Sequence, residues 1–164
     1  MEFGKLLESA RTLADIFEVV KLAVERRMRR SRAGLMLGLA NLGNQPGGWL
    51  GAFYPVGTNI IVMNSIPMRR IEETDPGLFK PYVFHVLLHE YLHSLGYLDE
   101  GAVRGLALET TRELFGMEHP AARIAADPLR FFPNLVYPDV NWQPENVNIE
   151  LVDGFDRSST GYIG

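Results

Sequence analysis

The sequence contains no cysteine. This absence excludes disulfide bonds, thiolate zinc fingers, iron–sulfur clusters and cysteine nucleophiles. A chain without disulfides fits a reducing compartment, so we expect a cytoplasmic protein. The sequence also lacks a run of about 18 apolar residues, the length a membrane-spanning helix requires, so we expect no membrane partner.

Several sequence signatures are also missing. The N-terminal segment carries Glu2, Glu8 and Asp15 among its apolar residues and has no basic start, so we expect no secretory signal. The GxSxG elbow of serine hydrolases, the GxxxxGK[ST] phosphate loop and a GxGxxG turn before a helix are all absent. These absences argue against the three corresponding enzyme classes.

The composition is that of an ordinary globular protein. The 164 residues are 46% hydrophobic and 22% charged, with a net charge of −4. This length predicts a single domain over 1–164, with a mobile tail over about 153–164. The negative net charge argues against a chain that binds nucleic acid over its whole surface.

Hydrophobic spacing and turn residues predict a compact α+β fold. Residues 3–30 have helical spacing, and a small sheet is expected over about 34–64, with WLGAFY and TNIIVMN as paired strands. Helices are predicted from Ser65, over 80–95 and over 98–115. Past residue 119 recurrent prolines predict extended chain.

The apolar helix 80–95 contains an HExxH motif, His89-Glu90-Tyr91-Leu92-His93. The i, i+4 spacing places both imidazoles on one helix face, where they can share one zinc ion per chain. Glu90 is rotated away from both histidines and therefore borders the metal. It is predicted to be the general base toward a water that the metal activates, and then the acid toward the leaving amine.

A zinc site needs a third protein ligand, and the residues after the helix offer candidates. Gly96 can take a positive φ and turn the chain, which would bring Asp99 back toward the metal. Asp99 is therefore the predicted third ligand. Glu109, on the next predicted helix, and Glu100 are the alternatives.

The segment HEYLHSLGYLDE resembles the HExxHxxGxx(H/D) pattern of metzincin-type zincins and of small bacterial zincin-like proteins. The resemblance covers about 50–116 and implies that Asp99 binds the metal. It also implies that an edge strand of the sheet binds an extended peptide substrate. The segment from Tyr97 to Ala102 resembles the WLxEGxA segment of gluzincins, which implies Glu100 as the ligand, whereas Glu109 lies nearer to the gluzincin spacing from His93. Met117 is the one methionine after Asp99, and we interpret it as a core residue.

Other candidate residues have simpler interpretations. His85 is expected to pack one turn before His89, and Tyr137 or Tyr97 could stabilise an oxyanion. The cluster Arg26–Arg32 is interpreted as a solvated helix end that favours the helix dipole. Its functional alternative is contact with phosphate or nucleic acid.

The sequence therefore predicts a zinc metallopeptidase with a peptide or protein substrate. The alternative is a non-catalytic zincin-like binding scaffold, recruited to nucleic acid through Arg26–Arg32. The substrate preference and the oligomeric state are not predicted.

Overall fold

A computed structural model describes residues 2–43, 48–138, 142, 144 and 147–157. These residues form seven helices and a small mixed sheet of four strands, which confirms the predicted α+β fold. The helices are α1 (Phe3–Ser9), α2 (Leu13–Met28), α3 (Ser65–Thr74), α4 (Pro76–Ser94), α5 (Glu100–Phe115), α6 (Pro120–Ala126) and α7 (Pro128–Phe131). The strands are β1 (Met36–Ala40), β2 (Trp49–Leu50), β3 (Ala52–Phe53), β4 (Ile60–Asn64), β5 (Leu135–Val136) and β6 (Glu150–Leu151).

The sheet has the strand order β3-β4-β1-β6. Strands β1 and β4 are parallel, with Leu37 opposite Ile61, whereas β3 and β6 pair antiparallel with their neighbours. Strands β2 and β5 form a separate parallel pair. The predicted pairing of WLGAFY with TNIIVMN is confirmed in β3 and β4, and β3 lies at an edge of the sheet.

Helix α4 is the centre of the core. Every residue from Pro81 to Ser94 is buried, because α2, α3, α5 and α6 all pack against it. Its aromatic residues contact different partners: the Tyr91 ring meets Phe17 of α2 edge-on at 5.4 Å, and the Phe84 ring meets Phe115 of α5 at 4.8 Å. A helix that is apolar all round is expected in such a position.

The predicted helix over 3–30 is two helices. Thr12 Oγ1 accepts a hydrogen bond from the backbone N–H of Asp15 at 3.0 Å, and the Asp15 carboxylate accepts one from the Thr12 N–H at 3.1 Å. This reciprocal pair is a capping box, which starts a new helix at Leu13. Helical apolar spacing continued across the break, so periodicity alone did not reveal it.

The extended chain predicted past residue 119 is wrong for 120–131. Pro120 and Pro128 each occupy the start of a short helix, where a proline without an N–H is tolerated. Met117 is 70% exposed, so its interpretation as a core residue is also wrong. Helix α3 is capped by Asn64, whose Oδ1 accepts from the Ile66 N–H, and Ser65 is the first helical residue.

The predicted mobile tail is only partly within the described residues. Phe155 is buried and stacks on Phe17 at 4.2 Å. Asp156 is buried beside it, with its carboxylate 2.7 Å from Lys21 Nζ and accepting from the Leu35 N–H at 3.1 Å. These residues belong to the core, which corrects that part of the prediction. Residues 158–164 lie outside the described residues, as do 44–47 of the predicted loop. In the described part of the chain, no helix is long and apolar enough to cross a membrane.

Arg32 joins the sheet to the end of helix α4. Its guanidinium donates to the Ser94 carbonyl at 2.8 Å, to the Tyr54 hydroxyl at 2.9 Å and to the Thr58 carbonyl at 2.7 Å. The Arg32 backbone N–H also donates a hydrogen bond to the Tyr91 hydroxyl oxygen at 2.9 Å. Arg32 thereby fixes the carboxyl end of α4 relative to the β3–β4 turn.

Other members of the arginine cluster also have structural partners. Arg27 forms ion pairs with Glu109 at 3.5 Å and Glu113 at 2.7 Å on α5. Arg30 donates to the Leu95 carbonyl at 2.9 Å and lies over the Tyr97 ring. These contacts support the structural interpretation of Arg26–Arg32.

Replacing Arg32 with alanine should lower the free energy of unfolding by about 2–3 kcal/mol, because three acceptors lose a charge-assisted donor. Chemical denaturation measures this change. Arg69→Ala is the matched control, since Arg69 is exposed on α3 and should change stability by less than about 0.5 kcal/mol. Equal stability of the two variants would contradict the role assigned to Arg32.

Candidate metal centre

Helix α4 presents two histidines on one face. His89 and His93 are one turn apart and are 1% and 5% exposed, with ring centres 4.9 Å apart. Burial of two imidazoles in an apolar helix is costly unless their nitrogens find partners. The arrangement of those partners therefore indicates what the site can do.

The chain reverses direction directly after α4. Gly96 has a φ of 106°, the left-handed region that favours glycine, so the predicted turn occurs there. The Tyr97 carbonyl accepts a hydrogen bond from His93 Nδ1 at 2.7 Å. Helix α5 then begins at Glu100, which brings the first turn of α5 back over the histidines.

Glu100 supplies the third potential ligand. Its Oε2 lies 2.9 Å from His89 Nε2, and its Oε1 lies 2.8 Å from His93 Nε2. The candidate ligand atoms of His89, His93 and Glu100 all lie within 4.8 Å of one another. This buried group could bind a metal ion.

The structure does not bring Asp99 into this group. Its Oδ2 accepts from the Ala102 N–H at 2.8 Å, so the side chain caps helix α5. Asp99 was the predicted third member of the metal-binding group, and in the structure Glu100, one of the alternatives, takes that place. Glu109 also lies outside the group, because its side chain is half exposed and pairs with Arg27. The signal that favours Glu100 was present in the sequence, because Asp directly before a helix is a preferred N-cap.

The contacts of His93 require a proton or a metal ion between it and Glu100. Because a carbonyl can only accept, His93 Nδ1 donates the hydrogen bond to the Tyr97 carbonyl, and Nε2 faces the Glu100 carboxylate. A nitrogen and a carboxylate oxygen 2.8 Å apart attract each other only when a proton or a metal ion lies between them. His89 Nδ1 is buried without a hydrogen-bond partner among the described residues.

The pKa values of this group are shifted by burial and by their mutual contacts. Burial lowers the pKa of His89, against the opposing effect of Glu100, and so favours the neutral imidazole that a metal requires. Burial acts to raise the pKa of Glu100, but its hydrogen bonds with His89 and His93 outweigh this and lower that pKa to about 2. Glu100 is therefore ionised near neutral pH, as a metal-binding carboxylate must be.

Glu90 lies beside the group with a different electrostatic environment. It is 4% exposed, and burial, followed by the charge of Glu100, raises the pKa of its carboxyl well above the usual value. It lines a small cavity with His93, Glu100 and residues Phe53, Tyr54, Val56, Pro138 and Trp142. That cavity has about 10 Å³ of space, close to what one water molecule needs. Two neighbouring carboxyl groups with pKa values driven in opposite directions can hold and release a proton.

Tyr137 and His85 form a second layer behind His89. The Tyr137 ring stacks on the His89 ring at 4.5 Å, and its hydroxyl lies 2.7 Å from His85 Nε2. His85 is therefore hydrogen-bonded rather than merely packed. Sequence reasoning named both residues but did not predict their contact, because they are 52 residues apart. Tyr97 contributes its carbonyl to His93 in this structure.

Comparison of the chain with protein-family models, with curated proteins and with solved structures found no match.

Proposed function

We propose that the chain is a zinc-dependent peptidase that hydrolyses peptide bonds. The observation that carries the proposal is a buried carboxyl, Glu90, beside two helical histidines that converge with Glu100. This arrangement combines a candidate metal site with an acid–base group.

The donor set fits zinc better than the other common divalent ions. His89 and His93 offer imidazole nitrogens, and Glu100 offers a carboxylate oxygen. Calcium and magnesium prefer sites made of oxygen ligands, whereas two histidines and a glutamate are a known catalytic zinc set. Zinc, when bound, supplies Lewis acidity that polarises a carbonyl and acidifies water. His93 is oriented for this role by its hydrogen bond to Tyr97.

Glu90 is the residue that moves protons in this proposal. A carboxyl group with a raised pKa is a better base and holds a proton more readily near neutral pH. Glu90 would accept a proton from the attacking water and deliver it to the leaving amine nitrogen. Its place on the wall of the cavity that His93 also lines supports this role.

The substrate would run along strand β3. This strand is at the edge of the sheet, and Phe53 at its end lines the same cavity as Glu90. An extended peptide that pairs with an edge strand can place its backbone beside the reacting groups. The cavity holds only about one water, so it must widen before a peptide can enter.

The small cavity is also the observation that favours the second candidate function. The Trp142 ring packs edge-on against Phe53 at 5.3 Å, on the wall where substrate would bind. If Trp142 stays packed on Phe53, a peptide cannot bind along this wall, and the chain would be a metal-stabilised scaffold without catalytic activity. The two functions differ in one measurable property, which is turnover of a peptide.

The test uses the full chain, freed of metal with a chelator and then supplied with one equivalent of zinc. We expect the zinc-loaded protein to cleave members of a quenched fluorescent peptide library, the metal-free protein to be inactive and added zinc to restore the rate. Cleavage that survives metal removal would contradict the proposal. One bound zinc per chain with no cleavage of any peptide would favour the scaffold.

A further inference from the structure

A second, much larger cavity is lined by Tyr137, the residue whose ring stacks on His89. It has a volume of about 610 Å³ and is bordered by α5, by the α6–α7 junction and by β5. Ligand sites for small molecules typically have about 300–1,000 Å³. His85, Arg104 and Tyr137 lie on its wall, whereas His89, His93 and Glu100 do not.

Arg104 gives this cavity a cation that forms no ion pair with an acid in the described part of the chain. Its guanidinium carbon lies 4.6 Å from the centre of the Tyr137 ring. Among the described residues, no carboxylate or carbonyl accepts a hydrogen bond from it. Stacking on an aromatic ring orients a guanidinium while its N–H groups stay free for a planar anion. A carboxylate is the anion whose two oxygens match this geometry.

His85 adds an uncharged polar group to the same wall. It is 4% exposed, and burial lowers the pKa of its imidazole to about 3, so the ring is neutral. Its Nε2 contacts the Tyr137 hydroxyl, while its Nδ1 is buried with no partner in the described part of the chain. An unpartnered buried nitrogen is uncommon in folded proteins.

The rest of the wall is mostly apolar. Leu108, Leu129 and Leu135 line it together with Ala125 and Val136. Leu129 is 52% exposed, and an apolar ligand in the cavity would cover its side chain. Asp127 is the one acidic residue of the described wall, and its charge disfavours a ligand with more than one negative group.

We propose that this cavity binds the C-terminal residue of a peptide when that residue is apolar. The free carboxylate pairs with Arg104, and the side chain packs against the three leucines. The cavity requires no metal ion for this interaction, so the proposal stands independently of the peptidase function. The two sites are neighbours, because the Tyr137 ring contacts both Arg104 and His89.

The test uses N-acetyl-L-leucine as the probe and N-acetyl-L-leucinamide as its uncharged match, titrated calorimetrically into the metal-free full chain. We expect the acid to bind at least about tenfold more tightly than the amide, because only the acid forms a charge-assisted pair. Arg104→Gln should remove that difference by weakening the acid alone. Arg112→Gln is the control, since Arg112 is exposed on the same helix but does not line the cavity.

Three outcomes would overturn the proposal. They are equal binding of acid and amide, unchanged acid binding in Arg104→Gln, and no binding of the acid at millimolar concentration. Circular dichroism of both arginine variants shows whether the fold is intact. Because every titration omits metal and turnover, failure of the peptidase proposal leaves these results unaffected. A chain that binds the acid but cleaves no peptide would retain this site and lose only the proposed activity.

Discussion

Peptide hydrolysis by the Glu90→Gln variant should be about 10²–10⁴-fold slower than by the parent chain, at unchanged zinc content. Glutamine has the size of glutamate but cannot take up or release a proton at neutral pH. Its amide has nearly the shape of the carboxyl group, so it should fit the same buried position. The measurements are kcat/KM on the best library peptide and elemental zinc analysis of both proteins.

Glu109→Gln is the matched control for this variant. Glu109 is half exposed on α5 and pairs with Arg27, so its replacement should leave both zinc and activity unchanged. If Glu90→Gln retained parental activity, Glu90 would have no role as base or acid. If it lost zinc, the loss of rate would report metal binding, and the assignment of proton transfer would fail.

Replacing Glu100 with glutamine should weaken zinc binding by more than about 100-fold. Loss of a residue in the outer layer of a metal site already costs about 10–100-fold in affinity, and the loss of a charged ligand should cost more. The reason lies in the convergence of both Glu100 oxygens on His89 and His93. Competition with a chromophoric chelator measures the affinity.

Asp99→Asn separates the two neighbouring acids. Asparagine is as good an N-cap as aspartate, so helix α5 should keep its stability. Zinc affinity should also stay within about threefold of the parent, since the Asp99 carboxylate bonds to the Ala102 N–H. The reverse pattern, with zinc lost in Asp99→Asn and kept in Glu100→Gln, would restore Asp99 as the ligand.

The sequence was most informative where local chemistry decides the structure. The HExxH motif lies on a helix as predicted, because apolar residues on all sides of 80–95 require a buried helix. The turn at Gly96 followed from its freedom to adopt a positive φ. The strands β3 and β4 followed from two apolar runs joined by a short turn.

Prediction failed where the outcome depends on competition or on distant residues. Asp99 and Glu100 are adjacent acids: Asp99 caps the start of α5, whereas Glu100 contacts the histidines. Their spacing from His93 differs by one residue and did not show which of them faces the histidines. The contact of Tyr137 with His85 and His89 joins segments far apart in the chain, and no local pattern reports it. Pro120 and Pro128 begin helices, and a proline is compatible with a helix start as well as with extended chain. The prediction of extended chain over 120–131 was wrong for this reason.

The burial of α4 from Pro81 to Ser94 has a consequence for how such a sequence can change during evolution. His89 and His93 are buried side chains that share one partner, Glu100. Losing Glu100 alone leaves both Nε2 atoms without that partner, which is costly, whereas replacing the three residues together with apolar residues can be neutral or stabilising. Sequences that have lost only some of these polar residues should therefore be less stable than sequences that keep all or none of them. Descendants of such a chain should retain the motif whole or lose it whole.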